Sequence, residues 1–363
     1  MRTERNTINT SIAACLLVAT VQADAQTTTE GVQIYGNLDV GVTYISNTGG
    51  QSRWFEDSGI SRPSRFGFRG AEDLGGGVQA VFTLESGVGA DTGTAGDASA
   101  FFNRESSIGL ASRTFGTVRL GRMPDFFFAD IGIIDSTPLL QGGLTAGYIG
   151  FAWAAGQAGP PPAVGLHYPG ARYNNSIKWL KDFGPVRAGL MYSLGSENRL
   201  DKMYSAMLRY EDGGFAIGAA YTKDNFTTAV NARETFAIKA QYRSGPFFYF
   251  ANYGIGKDTR TSAEIRPLEV GVQYAPTSAW RIGGGIGYAW AINDANQKAR
   301  IQQPFVGVKY LLSKRTELYG IAAFNSTSDR AVIPSTVGAP GGAPAISTTD
   351  SMNALRFGVL HYF

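Results

Sequence analysis

Apolar and polar residues alternate along most of the chain. Between Val32 and Tyr44 the even positions are apolar or glycine, whereas Gln33, Asn37 and Asp39 are among the odd ones. A period of two is that of a β-strand with one apolar and one polar face. The same alternation recurs in five later ranges, 171–180, 186–192, 204–210, 236–243 and 268–274. The pattern therefore predicts an all-β protein.

Short and long connections alternate between these segments. Seven tight turns, most of them rich in Gly, Asp, Ser or Pro, lie at 73–76, 112–115, 181–184, 211–214, 243–245, 276–278 and 313–315. Eight long connections lie at about 47–61, 87–100, 123–170, 194–200, 224–233, 256–265, 291–300 and 326–351. Seven and eight make fifteen connections, which join sixteen antiparallel strands with both termini on the short-turn side. An even strand number and unequal loops are typical of a bacterial outer-membrane β-barrel.

A soluble β-sandwich is the alternative fold, since its strands also alternate. Two features favour the transmembrane barrel. The strands have about 9–12 residues, as a tilted membrane-spanning strand needs. Aromatic residues also stand at strand ends on the apolar face, as in an aromatic girdle: Tyr44, Tyr192, Tyr210, Tyr242, Tyr274, Trp280, Trp290 and Tyr310. A spanning sheet must close on itself, and sixteen strands then leave a water-filled lumen.

The first 25 residues have the pattern of a secretory signal peptide. Arg2 and Arg5 give a positive start, Ile12–Val21 is apolar, and Ala23-Asp24-Ala25 is a cleavage signature. We therefore expect residues 1–25 to be removed and residues 26–363 to form one barrel domain. The chain's one cysteine, Cys15, lies in the removed segment, so the mature chain would have no disulfide and no cysteine-based metal site.

Composition excludes several other classes of protein. Mean hydropathy is −0.09, and no later segment reaches the ~18 apolar residues of a spanning helix. Aromatic residues make up 12% and charged residues 17%, which disfavours disorder. A net charge of +3 does not suggest a nucleic-acid partner. With two histidines and no cluster of nucleophile, base and acid, we expect no metal site, no cofactor and no enzyme.

The last strand alternates up to a terminal Phe363. A final strand that ends in phenylalanine resembles the signal read by the outer-membrane barrel assembly machinery. A long apolar edge strand at a free end would invite aggregation. We therefore expect this strand to pair with the strand at Val32–Tyr44 and to close the barrel.

Six sequence blocks resemble the Gram-negative general porins of the neisserial and beta-proteobacterial branch. They lie, in order, at residues 34–41, 64–77, 103–110, 118–122, 172–177 and 312–316. The resemblance implies a homotrimer in the outer membrane, in contact with lipid and lipopolysaccharide. It also implies passive transport of small hydrophilic solutes, and a third loop that folds inward and narrows the pore.

The basic wall of such a pore would carry five residues. The alternation places Arg65 and Arg69 on the polar face, and Arg172 and Lys178 by the same count. By motif match, Arg65, Arg104 and Arg172 fall where the family keeps its constriction arginines. The strand of Arg104 alternates poorly, so parity alone does not orient that side chain. For each arginine the alternative is a lumenal position outside the constriction.

The longest connection, the third, would carry the opposing acids Asp130 and Asp135. Strand one adds Tyr35, Asn37 and Asp39 on the lumenal side, which we interpret as ordinary pore lining. Fixed arginine charges lower the cost of an anion in a narrow pore and raise its rate of entry. The sequence thus predicts an anion-preferring channel whose preference is screened by salt.

Three functions remain open on the sequence alone. The first is a general diffusion porin, the second a substrate-selective outer-membrane channel. The third is a structural or adhesive barrel that acts through its outer loops, 47–61 and 326–351. Conductance in planar bilayers distinguishes them, because they predict a large ohmic step, saturation by one solute, and a closed pore, respectively.

Overall fold

A computed structural model describes residues 31–126, 172–195, 202–225, 232–259, 263–293, 295–330, 336–338 and 344–363. The predicted signal peptide, 1–25, lies outside these ranges, and the domain boundary at residue 26 stays a prediction. The described residues contain no helix that is long and apolar enough to span a membrane.

Eighteen strands form one continuous sheet, and sixteen of them make up its closed wall. The wall strands are β1 (Gly31–Thr48), β3 (Arg65–Gly75), β4 (Val78–Gly89), β6 (Glu105–Ser112), β7 (Gly116–Pro124), β8 (Arg172–Phe183), β9 (Val186–Ser193), β10 (Lys202–Asp212), β11 (Phe215–Asn225), β12 (Ala232–Ser244), β13 (Phe247–Asp258), β14 (Glu264–Tyr274), β15 (Trp280–Ile292), β16 (Lys298–Leu311), β17 (Thr316–Thr327) and β20 (Ser351–Tyr362). Each pairs antiparallel with its neighbour. The other two, β2 (Gln51–Ser58) and β5 (Thr94–Ala95), lie in connections, and β18 (Thr336–Gly338) pairs separately with β19 (Pro344–Ile346).

The first and last wall strands close the barrel. Strand β1 pairs antiparallel with β20 from Asn37 opposite Tyr362 to Ile45 opposite Ala354. The terminal Phe363 continues the ladder: its carbonyl accepts from the Gly36 N–H at 3.2 Å, and its own N–H donates to the Gly36 carbonyl at 3.1 Å. The predicted sixteen-stranded antiparallel barrel, with its first and last strands paired, is confirmed.

The two faces of the wall differ as the alternation requires. Large apolar side chains on the outside are exposed, among them Ile34, Ile108 and Leu190. Aromatic rings pair across neighbouring strands on this face, with centroids 4.7 Å apart for Trp280 and Tyr310. Residues at the alternate positions face the interior, where many polar and charged side chains are buried.

The first connection differs from a simple loop. Residues Gln51–Ser58 form β2, which pairs with residues 40–48 of β1. Strand β3 pairs with residues 31–37 of β1. Between β2 and β3 the segment 59–64 covers Asp39: the N–H groups of Ser61 and Arg62 donate to Asp39 Oδ2 at 2.6 and 2.9 Å. The alternation does not predict that segment 59–64 covers Asp39, because specific backbone hydrogen bonds to this buried carboxylate hold the segment in place.

Candidate functional site: the channel constriction

Glu85 is the centre of a group of charged side chains on the inner wall. It lies on β4, where residues at odd positions face the interior beside those of β3. Its Oε1 lies 2.6 Å from Arg104 Nε and 3.5 Å from Arg65 Nη1. The Tyr35 hydroxyl donates to the other carboxylate oxygen at 3.1 Å. One acid thus binds two arginines and a phenol, and these side chains have little freedom.

The orientation of Arg104 comes from its backbone. Arg104 precedes β6, and its N–H donates to the Glu85 carbonyl at 3.1 Å, which extends the β4–β6 ladder by one bond. The neighbouring Asn103 accepts from the Gly87 N–H at 2.8 Å. The Arg104 side chain is 8% exposed and points at the Glu85 carboxylate. The poor alternation around Arg104 therefore reflects an irregular start of the strand.

Tyr35 and Asn37 hold two of the predicted arginines in place. Asn37 is buried, and its amide oxygen accepts from Arg65 Nε at 3.0 Å. The Arg69 guanidinium lies 4.9 Å from the centre of the Tyr35 ring, and its Nε donates to Gln33 at 2.8 Å. These lining residues thus position the basic wall.

Arg172 belongs to the same electrostatic group. It begins β8, opposite Pro124 at the end of β7. The charges of Arg172, Arg104 and Glu85 act on one another. Arg65 and Arg104 therefore contact one carboxylate directly, and Arg172 lies within electrostatic reach of it.

Lys178 has a different role from the arginines. It lies on the inner face of β8, paired with Arg119 of β7. Its ammonium group donates to the Pro124 carbonyl at 3.2 Å and lies 4.4 Å from the centre of the Phe126 ring. Lys178 thus binds the beginning of the third connection.

An additional ion pair was missing from the sequence-based site. Arg119 Nη1 lies 3.0 Å from Glu105 Oε1 and donates to the Thr83 hydroxyl at 3.0 Å. Alternation in β7 shows only that Arg119 and Arg122 face opposite ways. Arg122 instead binds the Asn103 carbonyl at 2.8 Å and the Asn174 amide oxygen at 2.7 Å.

The third connection starts on the inner wall. Asp125 and Phe126 are completely buried. Asp125 accepts from the Thr222 hydroxyl on β11 at 2.8 Å, and the Phe126 N–H donates to Ser205 on β10 at 3.4 Å. The side chains packed around Phe126 include Met123, Tyr173, Met191, Met203 and Met207. Asp130 and Asp135 lie outside the described residues, so the inward course of the loop and its acidic set stay predictions.

Asp39 is separate from the constriction. It lies on the inner face of β1, but segment 59–64 covers it completely. Its Oδ1 accepts from the Tyr319 hydroxyl at 2.5 Å and lies 3.6 Å from Arg356 Nη2. Its contacts are those of a buried ion pair that joins the first and last strands.

Comparison with known proteins decides the family. The model of the Gram-negative porin family matches residues 10–330. The chain belongs to this family. As a porin it lies in the outer membrane, and its family and relatives indicate a channel rather than an enzyme.

Two curated relatives show the extent of the similarity. The porin is 29% identical over 379 aligned positions to outer membrane porin protein 32 of Delftia acidovorans, covering 97% of this chain and 99% of the relative. It is 26% identical over 305 positions to major outer membrane protein P.IB of Neisseria meningitidis serogroup A, covering 78% and 84%.

Solved structures share the architecture. An anion-selective porin from Comamonas acidovorans superposes with a TM-score of 0.74 at 25% identity, covering 92% of this chain and 99% of that one. The trimer form of the outer membrane protein OmpT from Vibrio cholerae gives a TM-score of 0.68 at 14% identity, with the same coverage, and shows the fold alone. Within the described part of this porin, no three His, Cys, Asp or Glu side chains group as metal ligands would.

Proposed function

We propose that this porin is a general diffusion channel for small hydrophilic solutes, with a preference for anions set by Arg65, Arg104 and Arg172 around Glu85. The observation that carries the proposal is the charge of this group. Among the described residues, three guanidinium groups act on this one carboxylate, so positive charge is in excess there. The structural relative from Comamonas acidovorans, described as anion-selective, supports the same direction.

The arrangement favours anions for two physical reasons. Fixed positive charges in a narrow, partly dehydrated passage replace some of the water that an anion gives up. The same charges focus a positive potential at the pore mouth and raise the rate of anion entry. Because Glu85, Asn37 and Tyr35 hold these side chains, little reorganisation accompanies the passage of each ion.

The experiment is a reversal-potential measurement in planar bilayers under a KCl gradient. We expect Arg65→Gln combined with Arg172→Gln to lower the Cl⁻ over K⁺ permeability ratio at low salt, with less effect at high salt. Lys298→Gln is the control. Lys298 is exposed and is the first residue of β16, so this variant loses one positive charge outside the lumen. An unchanged reversal potential in the double variant would overturn the assignment of the constriction.

The same recordings test the two alternative functions. A substrate-selective channel would saturate with one solute, and an adhesive barrel would conduct little. The phenol of Tyr35 already binds Glu85, and its ring lies against Arg69, which favours a positioning role over solute recognition. A large ohmic step without saturation is the result expected for general diffusion.

The proposed assembly is a homotrimer in contact with outer-membrane lipid and lipopolysaccharide. The trimer form of OmpT supports self-association in this fold. The outer face of β6 and β7 supports it too, because it exposes the aliphatic side chains Ile108, Leu110, Val118 and Leu120. Gel migration before and after boiling tests trimer and barrel together. A single monomer-sized band in unboiled samples would contradict the trimer.

A further inference from the structure

A second set of basic residues lies on the inner wall, near the short turns. It comprises Arg187, Arg209, Arg243, Arg281 and Lys309, and we call it the turn-side basic set. The alternation of β12 and β15 places Arg243 and Arg281 inside, since their neighbours Tyr242, Trp280 and Ile282 are exposed on the outer face. In outer-membrane barrels the short turns face the periplasm, so this set surrounds the periplasmic mouth.

Three members of the set are neutralised by acids. Arg187 binds Asp182 through two contacts, with Nε to Oδ1 at 2.5 Å and Nη2 to Oδ2 at 2.9 Å. Arg209 Nη2 lies 2.5 Å from Glu211 Oε2. Lys309 Nζ lies 2.7 Å from Glu317 Oε1. These pairs add little net charge to the mouth.

Arg243 and Arg281 contact only uncharged groups among the described residues. The Arg243 guanidinium lies 4.3 Å from the centre of the Phe248 ring. Arg281 Nη1 donates to the carbonyls of Thr277, Ser278 and Trp280 at 3.0, 3.2 and 2.8 Å. Neither an aromatic ring nor a backbone carbonyl removes a positive charge. Both guanidinium groups therefore keep their full charge at the mouth.

The two arginines lie along one row of the sheet. Arg243 pairs with Phe248, Phe248 with Gln273, and Gln273 with Gly283, two residues from Arg281 on the same face of β15. Gln273 lies between the two arginines in this row and is 6% exposed. Gly283 adds no side chain that would cover the row. Arg243 lies within electrostatic reach of Glu211, which attracts it and is itself paired with Arg209, and of Arg281, which repels it.

We propose that Arg243 and Arg281 form a second anion-binding station at the periplasmic mouth, for carboxylates and small oxyanions such as phosphate. A guanidinium group matches the two oxygens of such anions with its fork of donors. The station concentrates anions on the periplasmic side, whereas the constriction selects them within the barrel. This inference rests on the proposed anion preference.

The first experiment removes both charges. We expect Arg243→Gln with Arg281→Gln to lower the Cl⁻ over K⁺ permeability ratio about twofold at 0.1 M KCl, and hardly at all at 1 M, where the Debye length is only about 3 Å. Inorganic phosphate in the periplasmic-side chamber should reduce chloride current through the wild type and have less effect on the variant. Arg315→Gln is the control, since this exposed arginine lies in the β16–β17 turn, outside the lumen.

A second experiment uses the absence of cysteine after Cys15. In Arg243→Cys, a cationic methanethiosulfonate reagent should restore the anion preference, and an anionic reagent should lower it further. The reagent should act faster from the chamber that faces the short turns. Arg243 is exposed, so the substitution leaves the buried parts of the barrel intact.

The outcomes separate this inference from the proposed function. A wild type with no anion preference would overturn the proposed function itself. A preference that survives unchanged in the double variant, with equal block by phosphate, would overturn the second station alone. An effect of Arg315→Gln as large as that of the double variant would also overturn it, because any periplasmic-side charge would then suffice.

Discussion

Arg356 on the last strand lies 3.6 Å from Asp39 on the first, measured from Nη2 to Oδ1, and both side chains are completely buried. Arg356 Nε also donates to the Tyr319 hydroxyl at 2.6 Å, and its Nη1 contacts Asp57 of β2. The ion-pair group therefore joins β1, β2, β17 and β20 at the line where the barrel closes.

Loss of Arg356 should destabilise the barrel strongly. Arg356→Gln would leave Asp39 and Asp57 buried without their cation, and breaking a buried pair costs about 3–5 kcal/mol. We expect a clear fall in the apparent unfolding temperature, followed by circular dichroism and by gel migration in detergent. Lys223→Gln is the comparison, because its partner Glu234 is about one-third exposed and the pair is screened by water. Equal stability of the two variants would show that the closing pair contributes little.

Glu85→Gln should change ion selectivity in the direction opposite to the arginine variants. Removing the carboxylate adds one net positive charge while the amide keeps the shape of the side chain. We expect a higher Cl⁻ over K⁺ permeability ratio in bilayer recordings at low salt. Glu234→Gln is a useful control, since Glu234 pairs with Lys223 on the outer face of the barrel, away from the lumen. A fall in anion preference in Glu85→Gln would contradict the proposed role of the arginine group.

The start of the third connection depends on a missing side chain in β9. A Cβ at Gly189 would lie 2.3 Å from the Phe126 ring, so that ring occupies the space above the glycine. We expect Gly189→Val to displace Phe126, loosen the first residues of the third connection and increase the conductance fluctuations of single channels. Phe126→Ala should have a similar effect by removing the ring itself. Conductance fluctuations as small as those of the wild type in both variants would show that contacts other than those of Phe126 hold the third connection.

Alternation predicted the strands of the barrel wall but not the segment that covers Asp39 on the inner face of that wall. All seven short turns overlap the predicted ranges, some of them shifted by one to three residues, because turn composition and strand period are local properties. The inward side of β1 was also predictable. The burial of Asp39 was not, because it depends on segment 59–64 and on Arg356, more than 300 positions away.

The constriction shows the same limit. Arg65 and Arg69 could be oriented by parity, since both lie in a regular strand. Glu85 lies at a regular inward position of β4, so a signal for it existed. Its importance depends on Arg65, Arg104 and Tyr35, which converge only once the strands are paired. Arg104 precedes its strand and is oriented by a backbone hydrogen bond that no period reveals.

The terminal Phe363 allows a test that separates assembly from stability. Its ring lies on Gly36 of β1, where a Cβ would come within 2.4 Å of it. The same Cβ would lie 2.5 Å from the Arg65 carbonyl oxygen of β3. Gly36→Val should therefore displace the ring, strain the β1–β3 pairing and lower the unfolding temperature, while the chain still ends in phenylalanine and keeps its assembly signal. Phe363→Ala should lower both the unfolding temperature and the amount of barrel in the outer membrane. Phe357→Ala, which removes an exposed ring from the same strand, controls for general loss of aromatic surface. Equal amounts of Phe363→Ala and wild-type barrel in the outer membrane would contradict a role for this residue as an assembly signal.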